Sequence, residues 1–113
     1  MTDSIDRLYQ AVLLARQSDP ACSRTAKLFR GGISKMAKKL GEEAIEVGIG
    51  ALQGKRQEVV EESADVLYQL CVLWAECGIT PDDIRGEMDR REQLYGMAEK
   101  LPKLKVKGLA EVA

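Results

Sequence analysis

Hydrophobic positions along the chain recur mostly at helical spacing, and no alternating strand pattern interrupts them. Ile5, Leu8, Tyr9, Val12, Leu13 and Ala15 predict a first helix over about residues 4–17. Ser18, Asp19, Pro20 and Ala21 then break the pattern. Residues 22–32 carry no clear period, and Arg30, Gly31 and Gly32 read as a loop entering a helix. Ser34 is a candidate N-cap for a second helix over about 35–52, with Gly54 just past its end. A third helix is predicted over about 55–77. Its second half, VLYQLCVLWAEC, is apolar on nearly every side. A helix of that kind needs neighbours all round, and one small domain has few to offer, so a homodimer or higher homo-oligomer is expected. Gly78 closes it, and Thr80-Pro81-Asp82-Asp83 is a strong start signal for a fourth helix running to about Lys100. The tail after Pro102 (102–113) reads as loosely ordered. The fold class predicted is all-α: an antiparallel helix hairpin with flanking helices forming a bundle, completed by a second subunit.

The chain has 113 residues, which fits one domain over 1–113. Its formal net charge of -1 argues against a general nucleic-acid binder. The apolar run at 66–75 is too short to span a bilayer, and the N-terminus lacks the pattern of a secretory signal. Three cysteines, Cys22, Cys71 and Cys77, form no CxxC pair, which suggests reduced thiols in a cytoplasmic protein. Histidine is absent, so Ser-His-Asp triads, Cys-His dyads and histidine metal sites are excluded within the chain.

Any acid, base or metal chemistry must then come from carboxylates, Lys, Tyr or Cys. Glu43 and Glu46 share one helical face, and Glu62 and Asp65 share another. Folding the chain at Gly54 places Glu46 and Glu62 each eight residues from the turn, and Glu43 and Asp65 each eleven. In an antiparallel hairpin the two pairs stand level, across helix axes about 8–10 Å apart. Carboxylates brought together repel unless a cation intervenes. An all-oxygen set suits Mg²⁺, or Mn²⁺. The plain alternative is that these acids coat a solvated surface. Lys35 and Lys39 continue the face of Glu43 and Glu46, with Lys38 beside them. Such a basic row suits a polyphosphate, although ordinary i,i+4 pairing with Glu42 and Glu43 explains lysines there as well. Arg24 and Lys27 are further candidates for reaching a phosphate, and Phe29, Arg30 and the glycine pair for closing over ribose or base. Leu67, Leu70, Leu73 and Trp74 read as core or subunit interface. Tyr68 reads either as substrate-facing or as a packed aromatic with its hydroxyl satisfied, the second being the default.

Glu43-x-x-Glu46, fifteen residues, then Glu62-x-x-Asp65 resembles the ExxE…ExxD signature of the MazG-like all-α nucleotide pyrophosphohydrolases. Within that superfamily, SRTAKLFRGGISKMAKKLGEEAIEV and EESADVLYQLCVLWAECGIT resemble the phosphoribosyl-ATP pyrophosphatase family, over about residues 23–100. The resemblance implies magnesium ligation by Glu43, Glu46, Glu62 and Asp65, with Glu42 or Glu46 orienting or deprotonating water. It makes Lys35, Lys38 and Lys39 phosphate-holding residues and a dimer the usual assembly. It further implies Mg²⁺-dependent hydrolysis of phosphoribosyl-ATP to phosphoribosyl-AMP and pyrophosphate, the second step of histidine biosynthesis. Two departures stand out: Gln69 where the family often has histidine, and an atypical stretch around Gly96, Glu99 and Lys100. The competing readings are a house-cleaning nucleoside triphosphate pyrophosphohydrolase and a non-catalytic helical dimerisation module.

Overall fold

The structure, a computed structural model, describes residues 2–96. It holds five helices: α1 (Ser4–Ala15), α2 (Arg24–Gly31), α3 (Ile33–Leu52), α4 (Arg56–Cys77) and α5 (Pro81–Tyr95). No strand occurs among the described residues, so the chain is all-α. The predicted end of the last helix near Lys100 and the tail after Pro102 lie outside the described residues.

Two starts differ from the sequence expectation. Ser23, not part of a loop, caps a short helix: its hydroxyl accepts from the Ala26 amide at 3.1 Å. Arg30 and Gly31 are therefore the last turn of α2. Ser34 is not a cap either. The chain passes from α2 to α3 through Gly32 alone, with φ 85° and ψ 176°. A side chain there would be strained, and glycine takes that conformation freely. The Gly32 carbonyl accepts the Met36 amide at 3.2 Å, so α3 begins at Ile33, ahead of the serine. At the N-terminus, Asp3 accepts from the Ile5 and Asp6 amides while Asp6 accepts from the Asp3 amide, a reciprocal cap.

α3 and α4 form the antiparallel hairpin. Three residues connect them, and Gly54 takes φ 68°. The Lys55 amide reaches back to the Gly50 carbonyl at 2.9 Å, satisfying an end-of-helix acceptor. Gly50 is buried, and a Cβ built there would stand 3.6 Å from the Val59 backbone nitrogen. The helices thus approach closely beside the turn.

The core lies at the opposite end of the hairpin. Tyr9 and Val12 of α1, Leu28 of α2, Met36 of α3, and Cys71, Val72 and Ala75 of α4 are its buried members. Leu73, Trp74 and Phe29 pack against them. The apolar second half of α4 is explained by this position, since α1, α2 and α3 all meet it there. Tyr9 donates its hydroxyl proton to the Ile79 carbonyl at 2.8 Å, fastening α1 to the end of α4. Arg16 adds a second tie, stacking 4.5 Å from the centre of the Phe29 ring and pairing with Glu76 at 3.0 Å. Helix α5 belongs, from Asp82 on, to a second compact unit. Arg85 pairs with Asp82 there, and Arg90, then Arg91, hold the Glu87 carboxyl down at about 2.

Candidate active site

The register of the hairpin assembles the acids. Carboxylate oxygens of Glu43, Glu62 and Asp65 lie within 4.8 Å of one another. Glu46 stands near enough to Glu62 to raise its pKa. Glu62 is the hub. Hydrogen bonding to Glu43, then to Glu46, together with partial burial and the repulsion of both charges, pushes its pKa up from 4.5 to about 7. One Oε2 atom of Glu43 and one of Glu62 are buried without a hydrogen-bond partner. A buried acceptor left unmatched is costly, and one that is charged more so. The cluster therefore has the donors, the excess charge and the unmet oxygens that a hard divalent cation satisfies.

Two connected clefts open beside the cluster. One, of about 220 Å³, is lined by Arg24, Lys27, Leu28, Lys35, Lys39, Glu43, Tyr68 and Gln69. The other, of about 450 Å³, is lined by Arg24, Thr25, Glu43, Asp65, Tyr68 and Gln69. Glu43 belongs to both walls and joins the acids to the cations. The short helix α2 brings Arg24 and Lys27 over the same end of the hairpin. Lys35 reaches its place by lying along Gly31, whose missing side chain leaves room for the lysine methylenes.

Of the residues singled out from the sequence, Arg24, Lys27, Lys35 and Lys39 stand together in one cleft, and Glu43, Glu46, Glu62 and Asp65 in one acidic cluster. Glu42 and Lys38 are exposed and line neither cleft. Each is one residue off the inward row, about 100° around the helix. Tyr68 meets both descriptions offered for it. Its hydroxyl is 2.6 Å from the Thr25 hydroxyl, and it also lines both clefts. Thr25 and Leu28 are cleft residues that the sequence pattern does not reveal. The signal for them is Ser23, a cap residue one step ahead of a short run whose apolar positions are too few to show a period.

A family model described as phosphoribosyl-ATP pyrophosphohydrolase matches residues 5–92. Phosphoribosyl-ATP pyrophosphatase 2 of Rhodopseudomonas palustris is 63% identical over 106 residues, 94% of this chain and 81% of that protein. The protein of the same name from Bradyrhizobium diazoefficiens is 62% identical over 107 residues, 95% of this chain and 80% of its own. Phosphoribosyl-ATP pyrophosphatase of Gluconobacter oxydans is 46% identical over 103 residues, covering 91% and 77%. By the matched span, and by identities of this size over most of both partners, the chain belongs to the phosphoribosyl-ATP pyrophosphohydrolase family.

Proposed function

We propose that this chain hydrolyses the α–β phosphoanhydride of phosphoribosyl-ATP, giving phosphoribosyl-AMP and pyrophosphate, the second step of histidine biosynthesis. The observation that supports it is the pairing of two unmet, buried carboxylate oxygens, Glu43 Oε2 and Glu62 Oε2, with a cleft walled by four cationic side chains. Such a pairing suits a triphosphate carried with a divalent ion, and a surface coat of acids would leave no orphaned atoms.

Glu43, Glu62 and Asp65 would hold Mg²⁺, or Mn²⁺, with Glu46 beside them. When bound, the ion supplies positive charge to phosphate oxygens and lowers the pKa of water. The chain's own groups do the rest. Glu46 is the acid of the four outside the tightest trio, and in this scheme it orients a water and takes its proton. The water oxygen bonds to phosphorus as the bridging P–O bond breaks, and the electron pair leaves with pyrophosphate. Lys35 and Lys39 stabilise the charge that develops there, and Arg24 and Lys27 close the cleft from α2. Glu42, on the exposed face next to Glu43, has no direct part in this scheme.

Assembly rests on the same reasoning. Ile45, Ile49 and Leu52 form a stripe along α3 and are 65%, 46% and 89% exposed. Val60 and Leu67 of α4 are exposed as well. This is the end of the hairpin that α1 and α2 leave uncovered. A second copy of the chain covers it in a homodimer. No described helix is long and apolar enough to cross a membrane. A cytoplasmic location, where Cys22, Cys71 and Cys77 stay reduced, completes the reading.

The test is incubation with phosphoribosyl-ATP and Mg²⁺, scoring phosphoribosyl-AMP and pyrophosphate, with Glu43→Gln as control. Turnover by the wild-type chain and its loss in the variant are expected. Faster release of pyrophosphate from ordinary nucleoside triphosphates than from phosphoribosyl-ATP would replace this reading with the house-cleaning one.

A further inference from the structure

Gln69 is the one buried polar side chain of the described residues, 7% exposed. Its Oε1 has no hydrogen-bond partner, and no hydrogen bond from the protein reaches its amide. It nevertheless forms part of the wall of both clefts. The turn arithmetic fixes its height. Lys39 lies fifteen residues before Gly54 and Gln69 fifteen after, so the two face each other one turn beyond Glu43 and Asp65. The wall of the smaller cleft also carries Lys39, Lys35 and Tyr68 and, from α2, Arg24, Lys27 and Leu28.

Phosphate oxygens only accept hydrogen bonds at neutral pH, and Lys35, Lys39, Arg24 and Lys27 already offer them charged donors. A primary amide is the wrong addition for that purpose. It is uncharged and carries a donor and an acceptor side by side. Its terminal torsion is broad, so either half can turn to the cleft. Tyr68 lines both clefts with it, and an aromatic side chain there suits a nucleoside better than a phosphate.

We propose that the Gln69 amide binds the nucleoside of the substrate through an uncharged donor–acceptor edge, and thereby sets which nucleotides the site takes. Two parts of an adenine nucleotide offer such an edge. One is the sugar, whose hydroxyls both donate and accept. The other is the N6/N7 side of the purine, which a glutamine side chain can meet with two parallel bonds. The inference rests on the reaction proposed above and adds to it the residue that reads the uncharged part of the substrate. Gln69 thus binds substrate and moves no proton.

The experiment uses the wild-type chain and Gln69→Met, an unbranched replacement of similar length without the amide. Phosphoribosyl-ATP is compared with analogues built on 2′-deoxyadenosine and on 7-deazaadenosine, with melting temperatures measured alongside. Wild-type turnover of phosphoribosyl-ATP tests the reaction by itself, independently of any role for Gln69. Losing a hydrogen bond to a buried amide costs a factor of about ten to a hundred. One analogue is therefore expected to show a KM raised by about that factor on the wild-type chain. The 2′-deoxy compound does so if the sugar is read, the 7-deaza compound if the base is. Gln69→Met is expected to raise KM for phosphoribosyl-ATP similarly, with kcat changed little, and to treat that analogue and the parent alike. Equal KM values for all three compounds on the wild-type chain overturn the proposal, whether or not the variant folds. So does a variant that keeps the wild-type preference, or one that loses kcat with KM unchanged.

Discussion

Glu62 shows what a single side chain in this cluster has to bear. Between Glu43 and Glu46 its carboxyl keeps a proton up to about pH 7, whereas an ordinary glutamate gives it up near 4.5. The folded chain therefore binds more protons than the unfolded chain between those values. The contribution of Glu62 to stability without metal is fully present below about 4.5 and is lost as pH rises through 7. Melting temperatures of the metal-free chain, measured from pH 5 to 8, are expected to fall with rising pH. In Glu62→Gln, which presents a neutral amide at every pH, that slope flattens. Adding Mg²⁺ at pH 8 is expected to raise the wild-type melting point by several degrees, since a ligand at a hundred times its dissociation constant contributes about 2.7 kcal/mol. In Asp65→Asn the shift shrinks, and kcat/KM falls by about a hundredfold or more. A melting curve indifferent to both pH and Mg²⁺ would remove the basis for a metal centre here.

At the level of elements, the hairpin is legible in the sequence and the helix ahead of it is not. Counting residues outward from Gly54 is enough to pair Glu46 with Glu62 and Glu43 with Asp65, because helices rise by a fixed amount per residue. The same count separates Glu42 and Lys38 from the cleft only when the 100° step is taken strictly. Helix α2 leaves no such trace. Eight residues give two turns, and two of its apolar side chains, Ala26 and Leu28, face the core while Arg24 and Lys27 face the cleft. It is held by the local Ser23 cap and by tertiary partners, among them Tyr68 through the Thr25–Tyr68 hydroxyl bond. Removing that bond with Tyr68→Phe is expected to cost about 1 kcal/mol in chemical denaturation. Ser23→Ala costs a similar amount through the cap. Both variants loosen the element that carries Arg24 and Lys27, so KM rises more than kcat falls. Gln69 escapes sequence reading for another reason. Its position on the inward face is plain, but isolation from every partner is a property of packing that no spacing reveals.

Within the unit over residues 1–81, the α3–α4 hairpin has two ends of different character. One is closed by α1 and α2 around Met36, Cys71 and Val72, while at the other the α3 stripe of Ile45, Ile49 and Leu52 faces outward. Ile45→Asp, far from the buried core, is expected to shift the chain to a monomer in sedimentation while leaving its helical signal intact. A wild-type chain that sediments as a monomer at micromolar concentration contradicts the homodimer.

The three-residue connection at Gly54 also limits how this chain can change length. Every acid of the cluster is positioned by its distance from that bend, two counted backward and two forward. One residue gained or lost anywhere between Glu46 and Glu62 would slide a helix by about 1.5 Å and swing its face by about 100°. Relatives that keep the chemistry must therefore keep this interval or change it on both arms together. Insertions between α1 and α2 face no such constraint. The span from 46 to 62 acts as a ruler, and its length is as much a part of the site as the oxygens at either end.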